Sequence, residues 1–299
     1  MPQDIEHHTA QVGDINMHYA ACGSPDNPAI VFLHGFPEYS GAWAHILPAF
    51  SGTHYAIAPD QRGFGLTSKP EGLAAYQTAN MVGDLVGLMA QISPNRPFIL
   101  VGHDWGASVA YAAAMFFADR VSQLVIMNGV HPAPFQAALL SDPGQIAASQ
   151  YFHFLRDKRA EEILSANDCE KLFGFLGHFS DTKWLSDDHK AGYLEAWTQP
   201  GAMTGMLNWY RATPIMVPPE GADWSDRENP FDDPQKFRVR MPHLLLWGNR
   251  DVALLPVSRQ GLERFCDDLT MVETDDADHW IAHQQPDWVI SQMRAFLGL

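Results

Sequence analysis

The chain has 299 residues, 46% hydrophobic and 18% charged, which is enough apolar content for one large α/β domain or a domain carrying an insertion. Acidic residues outnumber basic ones 35 to 19, and a formal net charge of −16 argues against nucleic acid or an anionic membrane surface as a partner. The opening M-P-Q-D-I-E-H-H-T-A has no basic segment followed by an apolar one, and no apolar run has membrane-spanning length, so a cytosolic protein is expected.

In chain order, short apolar runs rich in β-branched and aromatic residues stand at Ala29–Leu33, His54–Ala58, Phe98–Val101, Leu124–Met127, His243–Trp247 and Thr270–Glu273. None alternates, so each is predicted to be a strand covered on both faces, as in a parallel sheet between helices. Helical patterns over Thr78–Ile92, Ala107–Phe117 and Pro286–Phe296 fall between them or at the end, which predicts a doubly wound α/β core. After His131 the strand runs stop. From Pro132 to Phe231 the text is helical and aromatic, then loop-like, before a strand resumes with L-L-L-W. The expected organisation is therefore a core over 1–131 and 232–299, with an inserted helical lid at 132–231. Cys22, Cys169 and Cys266 are too few and too widely spaced for a disulfide framework or zinc knuckle and read as small buried residues.

The chemistry-bearing stretch is V-G-H-D-W-G-A-S-V-A, from Val101 to Ala110. It has the form of a nucleophile elbow, a sharp strand-to-helix turn that thrusts one side chain above the sheet, with Asp104 where such turns commonly hold Ser. The helix after it would favour a carboxylate at its N-terminus, although Asp is equally at home as a simple N-cap. The loop F-L-H-G-F-P after the first apolar run could lend the Phe36 N–H to an oxyanion site, with the Trp105 N–H as second donor. Phe36–Pro37 is a candidate cis peptide, with trans as the default. The chain order nucleophile, acid, histidine selects Asp251 in W-G-N-R-D, just past a strand's carboxyl end, and His279 in D-A-D-H-W near the end. Asp251 could orient the imidazole and stabilise its charged form.

The set H-G-F-P, D-Q-R-G-F-G, G-H-D-W-G, G-N-R-D and A-D-H-W resembles the aspartate-nucleophile branch of the α/β-hydrolases, which contains epoxide hydrolases and dehalogenases. The resemblance spans nearly the whole chain. It implies Asp104 as nucleophile, His279 as base and Asp251 as acid. A carboxylate attacking an ester gives a labile anhydride, whereas attack on tetrahedral carbon gives an alkyl ester that can be hydrolysed, so aspartate argues against an esterase. The lid stretch N-W-Y-R-A, with Tyr210, is similar to an epoxide hydrolase tyrosine motif. Y-F-H-F-L-R-D, with Tyr151, resembles the other, but has Leu155-Arg156-Asp157 where the family often has F-Q-E. The resemblance thus implies an epoxide hydrolase with Tyr151 and Tyr210 as the ring-opening acids, water as co-substrate and no metal or cofactor. Phe36, Trp105 and Phe135 are expected to bind an apolar epoxide. His153 reads as a packing residue. A dehalogenase on the same machinery and a non-catalytic binding protein on this fold are the alternatives, and a homodimer is left open.

Overall fold

The computed structural model of the protein describes residues 4–299, so the first three residues of the opening stretch lie outside the described residues. The apolar runs become β3 (Ala29–Leu33), β4 (Tyr55–Pro59), β5 (Phe98–His103), β6 (Val121–Met127), β7 (His243–Gly248) and β8 (Leu269–Thr274). Every residue of β3, β4, β5 and β7 is buried, because helices cover both sheet faces. A fully buried Ile or Leu in such a strand contributes roughly 1.5–3 kcal/mol of hydrophobic free energy.

Two features differ from expectation. Thr270–Glu273 was expected to be covered on both faces, yet the strand there, β8, is half-buried to exposed along its length. It is an outer strand, paired only with β7. The N-terminal stretch adds a hairpin, β1 (Glu6–Val12) and β2 (Ile15–Cys22), which no apolar run announced. Its first strand exposes Glu6, His7, Thr9 and Gln11, so the text is too polar for a criterion tuned to buried strands.

The eight strands form one sheet in the order β1-β2-β4-β3-β5-β6-β7-β8. All pairings from β4 to β8 are parallel, and β2 joins β4 antiparallel. From β3 the chain goes first to β4 on one side and then to β5 on the other, so the order reverses at the β3/β5 pair. In open α/β sheets such a switch point leaves a crevice at the strands' carboxyl ends.

Of the predicted helices, Thr78–Ile92 keeps its bounds, while the others run over Trp105–Phe116 and Pro286–Leu297. Helices Pro132–Ser141, Tyr151–Arg156, Ala160–His178, Asp187–Trp197 and Ala202–Ala212 all lie between β6 and β7. Those two strands pair side by side, with Met127 opposite Leu246, so the helical stretch leaves the sheet and returns beside its point of departure. One apolar cluster continues from the sheet's face into these helices through Phe135, Phe152, Leu172 and Trp209, and a second fills the opposite face around Trp43, Phe50 and Met293.

Candidate active site

The switch point brings the H-G-F-P loop beside the elbow. Leu33 of β3 pairs with Gly102 of β5, so the loops following the two strands emerge together. Asp104 then turns the chain from strand to helix with φ 50° and ψ −121°, a conformation that L side chains rarely adopt and that costs on the order of 1–3 kcal/mol. The next helix can approach only because Gly106 lacks a side chain: a Cβ there would stand 2.2 Å from the Leu33 carbonyl oxygen. Gly35 is equally constrained, since a Cβ on it would lie 2.3 Å from the Asp104 carboxyl oxygen Oδ1.

Asp104 stands at the N-cap position but makes no side-chain cap hydrogen bond. Its Oδ1 instead accepts the Phe36 N–H at 2.7 Å, and its Oδ2 lies 3.5 Å from His279 Nε2. The Phe36–Pro37 peptide is cis, where trans was the default. His279 Nδ1 donates to Asp251 Oδ2 at 2.8 Å. Asp251 is held in turn by the Asn128 side chain at Oδ2 and by the backbone N–H groups of Ala253 and Leu254 at Oδ1, each at 2.8 Å. With burial opposing, the charge and hydrogen bonds of His279 and the other donors keep Asp251 below the usual carboxylate value.

Burial also works against a charged His279, but the Asp251 and Asp104 carboxylates on its two sides override it and hold the imidazole well above its ordinary 6.5. Since the folded value exceeds the unfolded one, the stability these contacts contribute is complete below about pH 6.5 and is lost as pH rises through the folded value. Asp104→Asn removes one flanking negative charge. We expect the His279 titration, followed by NMR of its ring protons, to move to lower pH by about one unit or more; an unmoved midpoint would leave Asp251 alone in control.

A cavity of about 210 Å³ opens on Asp104 and is lined there by Trp105, Tyr151, Phe152 and Phe135. Tyr210 is buried and is not among the cavity's lining; its ring centroid lies 5.0 Å from Trp105, 5.1 Å from Phe36 and 6.1 Å from Tyr151. Both phenols are held well above their ordinary value of 10, first by burial and then by neighbouring negative charge, including that of Asp104, so both keep their protons at neutral pH. The Phe36 ring is not among the cavity's lining; it packs edge-on against Tyr210 and Phe175. His153 donates to the Pro218 carbonyl, away from the cavity lining.

Sequence reasoning missed a second layer. Buried Glu38 accepts from His103 Nδ1 at 3.0 Å, His283 Nε2 at 2.6 Å and the Tyr193 hydroxyl at 3.0 Å. His103 Nε2 donates to the His279 carbonyl at 2.8 Å. Glu38 and His103 adjoin the quoted motifs, one after H-G-F-P and one before Asp104, but 65 positions separate them and only the fold pairs them. Arg156, the departure from the family pattern, donates to the Tyr210 and Ile215 carbonyls at 2.8 Å each.

An Asp–His–Asp array above the carboxyl ends of a parallel sheet defines a class of protein, and comparison with known proteins agrees. The model of the alpha/beta hydrolase fold family matches residues 28–286, so the chain belongs to that family. It is 33% identical over 274 residues to the AB hydrolase superfamily protein YfhM of Bacillus subtilis, covering 91% of each chain. It is 32% identical over 290 residues to Epoxide hydrolase 3 of Xenopus tropicalis, covering 95% of this chain and 75% of that one. A solved structure described under novel epoxide hydrolases of the alpha/beta hydrolase superfamily, from metagenomes of hot environments, superposes with a TM-score of 0.89 at 34% identity. That likeness covers 98% of this chain and 99% of the other. Within the α/β-hydrolases, the chain belongs to the epoxide hydrolases.

Proposed function

We propose that this epoxide hydrolase converts an apolar epoxide to a vicinal diol through a covalent Asp104 ester. The observation that carries the reading is the Asp104 carboxylate, with one oxygen on the Phe36 N–H and the other toward His279. Oδ2 attacks a ring carbon, the C–O bond breaks, and the departing oxygen takes a proton from Tyr151 or Tyr210. An alkoxide leaves poorly unless it is protonated, and a protonated phenol beside the nucleophile meets that need. A halide needs no such proton, so the phenols favour the epoxide over a dehalogenase reading.

In the second half, His279 Nε2 removes a proton from water, which attacks the ester carbonyl carbon. Esterification removes the charge of Asp104 and with it one of the influences that raise His279, which shifts the imidazole toward the neutral base that the step needs, while Asp251 continues to orient it. Oδ1 becomes the oxyanion and stays on the Phe36 N–H, with the Trp105 N–H as second donor; each donor contributes on the order of 3 kcal/mol. Collapse breaks the ester C–O bond and releases the diol: the expelled oxygen takes the proton held by His279, the second proton of the water reprotonates the tyrosinate left by ring opening, and Asp104 returns as a carboxylate with one oxygen derived from water. Trp105 and Phe135 bind the substrate's apolar part. We assign residues 132–231 as the lid and 1–131 with 232–299 as the core. Among the described residues no helix is long and apolar enough to cross a membrane. We assign a cytoplasmic setting, where the buried thiols of Cys22, Cys169 and Cys266 would stay reduced.

Single turnover in ¹⁸O water tests the covalent route. The first diol should carry unlabelled oxygen from Asp104; prompt label in that diol would mean direct attack by water and would overturn the reading. Tyr210→Phe and Tyr151→Phe should each slow ester formation about 10²-fold or more, with a smaller effect on ester hydrolysis. Rates of epoxide opening unchanged in both variants would remove the phenols from the mechanism.

A further inference from the structure

The cavity does not stop at the triad. Its lining follows one face of helix Trp105–Phe116 through Ser108, Ala112, Met115 and Phe116, at the spacing that stacks side chains along one side of a helix. Eleven steps of helical rise from Trp105 to Phe116 make this floor roughly 16 Å long. Ser108 and Ala112, with their small side chains, keep the floor low near its middle. Ile215 and Phe231 stand among the residues closing the other side. At the far end Phe116 is 53% exposed, its ring 6.1 Å from Phe237, which in turn lies 5.6 Å from Phe231. Apart from Asp104, no acidic or basic side chain lines the cavity, so nothing along the floor would meet a charge carried by the substrate.

We infer that the preferred substrate is an elongated, neutral 1,2-epoxide whose slim apolar tail lies along Ser108, Ala112 and Met115 and reaches water at Phe116. The inference rests on the epoxide reading above and adds a length and a polarity to it. An extended chain advances roughly 1.2 Å per bond, so the floor accommodates about a dozen carbons. Each methylene laid on it leaves water for an apolar wall, which is worth up to about fourfold in kcat/KM. Beyond Phe116 an added methylene stays in water and contributes nothing. A carboxylate placed halfway along would be stripped of water with no cation to receive it.

The test is diol formation by the unmodified enzyme from straight-chain 1,2-epoxyalkanes of four to sixteen carbons. We expect kcat/KM to climb by up to about fourfold per methylene and to level off near twelve carbons. A second probe, an eight-carbon 1,2-epoxide ending in a carboxylate, should react at least about 100-fold more slowly than its neutral counterpart. Ala112→Leu, which raises the floor, should bring the plateau to shorter chains and lower the ratio of dodecyl to butyl turnover by about tenfold or more. Diol from the short members with no dependence on length, or equal turnover of the carboxylate, overturns the inference and leaves the epoxide reading standing. No diol from any member overturns both. The unmodified enzyme's series decides the question even if Ala112→Leu does not fold.

Discussion

Asp104→Ala is expected to lower kcat for epoxide hydrolysis by on the order of 10⁴-fold or more, the scale seen when one member of a catalytic triad is removed. Without this carboxylate no ester forms, and the remaining groups can only polarise the epoxide toward a poorly placed water. The Phe36 N–H loses its 2.7 Å acceptor and His279 loses one of its two carboxylate neighbours, so the variant also reports on His279. Circular dichroism should show the fold retained. The elbow backbone is held from outside by the Gly106 and Gly102 close approaches and does not depend on the side chain at 104. Turnover within about tenfold of the parent would exclude Asp104 as nucleophile, leaving it as a strained turn residue.

His279→Gln divides the reaction differently. Asp104 and both phenols remain, so the ring should still open, but no imidazole is left to deprotonate water. One equivalent of epoxide should be consumed in a burst, with steady-state kcat reduced by on the order of 10³-fold or more. Because ring opening adds the whole substrate, intact mass should rise by the full mass of the epoxide, and peptide mapping should locate the addition at Asp104. Continued slow turnover with no protein adduct would mean that water attacks the epoxide directly and that His279 serves another step. Asp251→Asn should fall between this variant and the parent, because the imidazole would remain but lose the 2.8 Å partner that orients and charges it.

Glu38 is a point where the two halves of this machinery meet. It follows the loop whose Phe36 N–H holds Asp104, and through His103 it reaches the carbonyl of His279. Through Tyr193 it is also tied to helix Asp187–Trp197. A carboxylate buried to 2% exposure with three donors is costly to leave half-satisfied, so the His279 loop, the elbow and this helix are held in one arrangement.

The aromatics of the helical stretch between β6 and β7 show what sequence alone could not sort. Phe135 and Phe152 line the cavity, while Trp184 stacks on His283 with ring centroids 4.1 Å apart. Trp197 donates its indole N–H to the Pro37 carbonyl, and Phe154 lies at the surface. All occur in the same kind of aromatic, helical text. Only the direction in which each helix faces distinguishes a cavity wall from a packing contact.

By itself the sequence determined the parallel sheet, because strands buried on both faces must be continuously apolar and so stand out as short runs. It also marked the elbow, since a turn that places a carboxylate against a helix needs Gly102 and Gly106, and the order of the motifs pointed to Asp251 and His279. The edges of the sheet were less legible: β1 escaped it because its half-polar text resembles a loop, and β8 was found as a strand but expected to be covered where it is half-buried to exposed. The tertiary structure alone decided which distant groups meet. His279 stands 28 positions from Asp251 and Glu38 stands 65 from His103, and contacts at such separations follow from strand order and the reversal at β3/β5, which no local pattern of residues encodes.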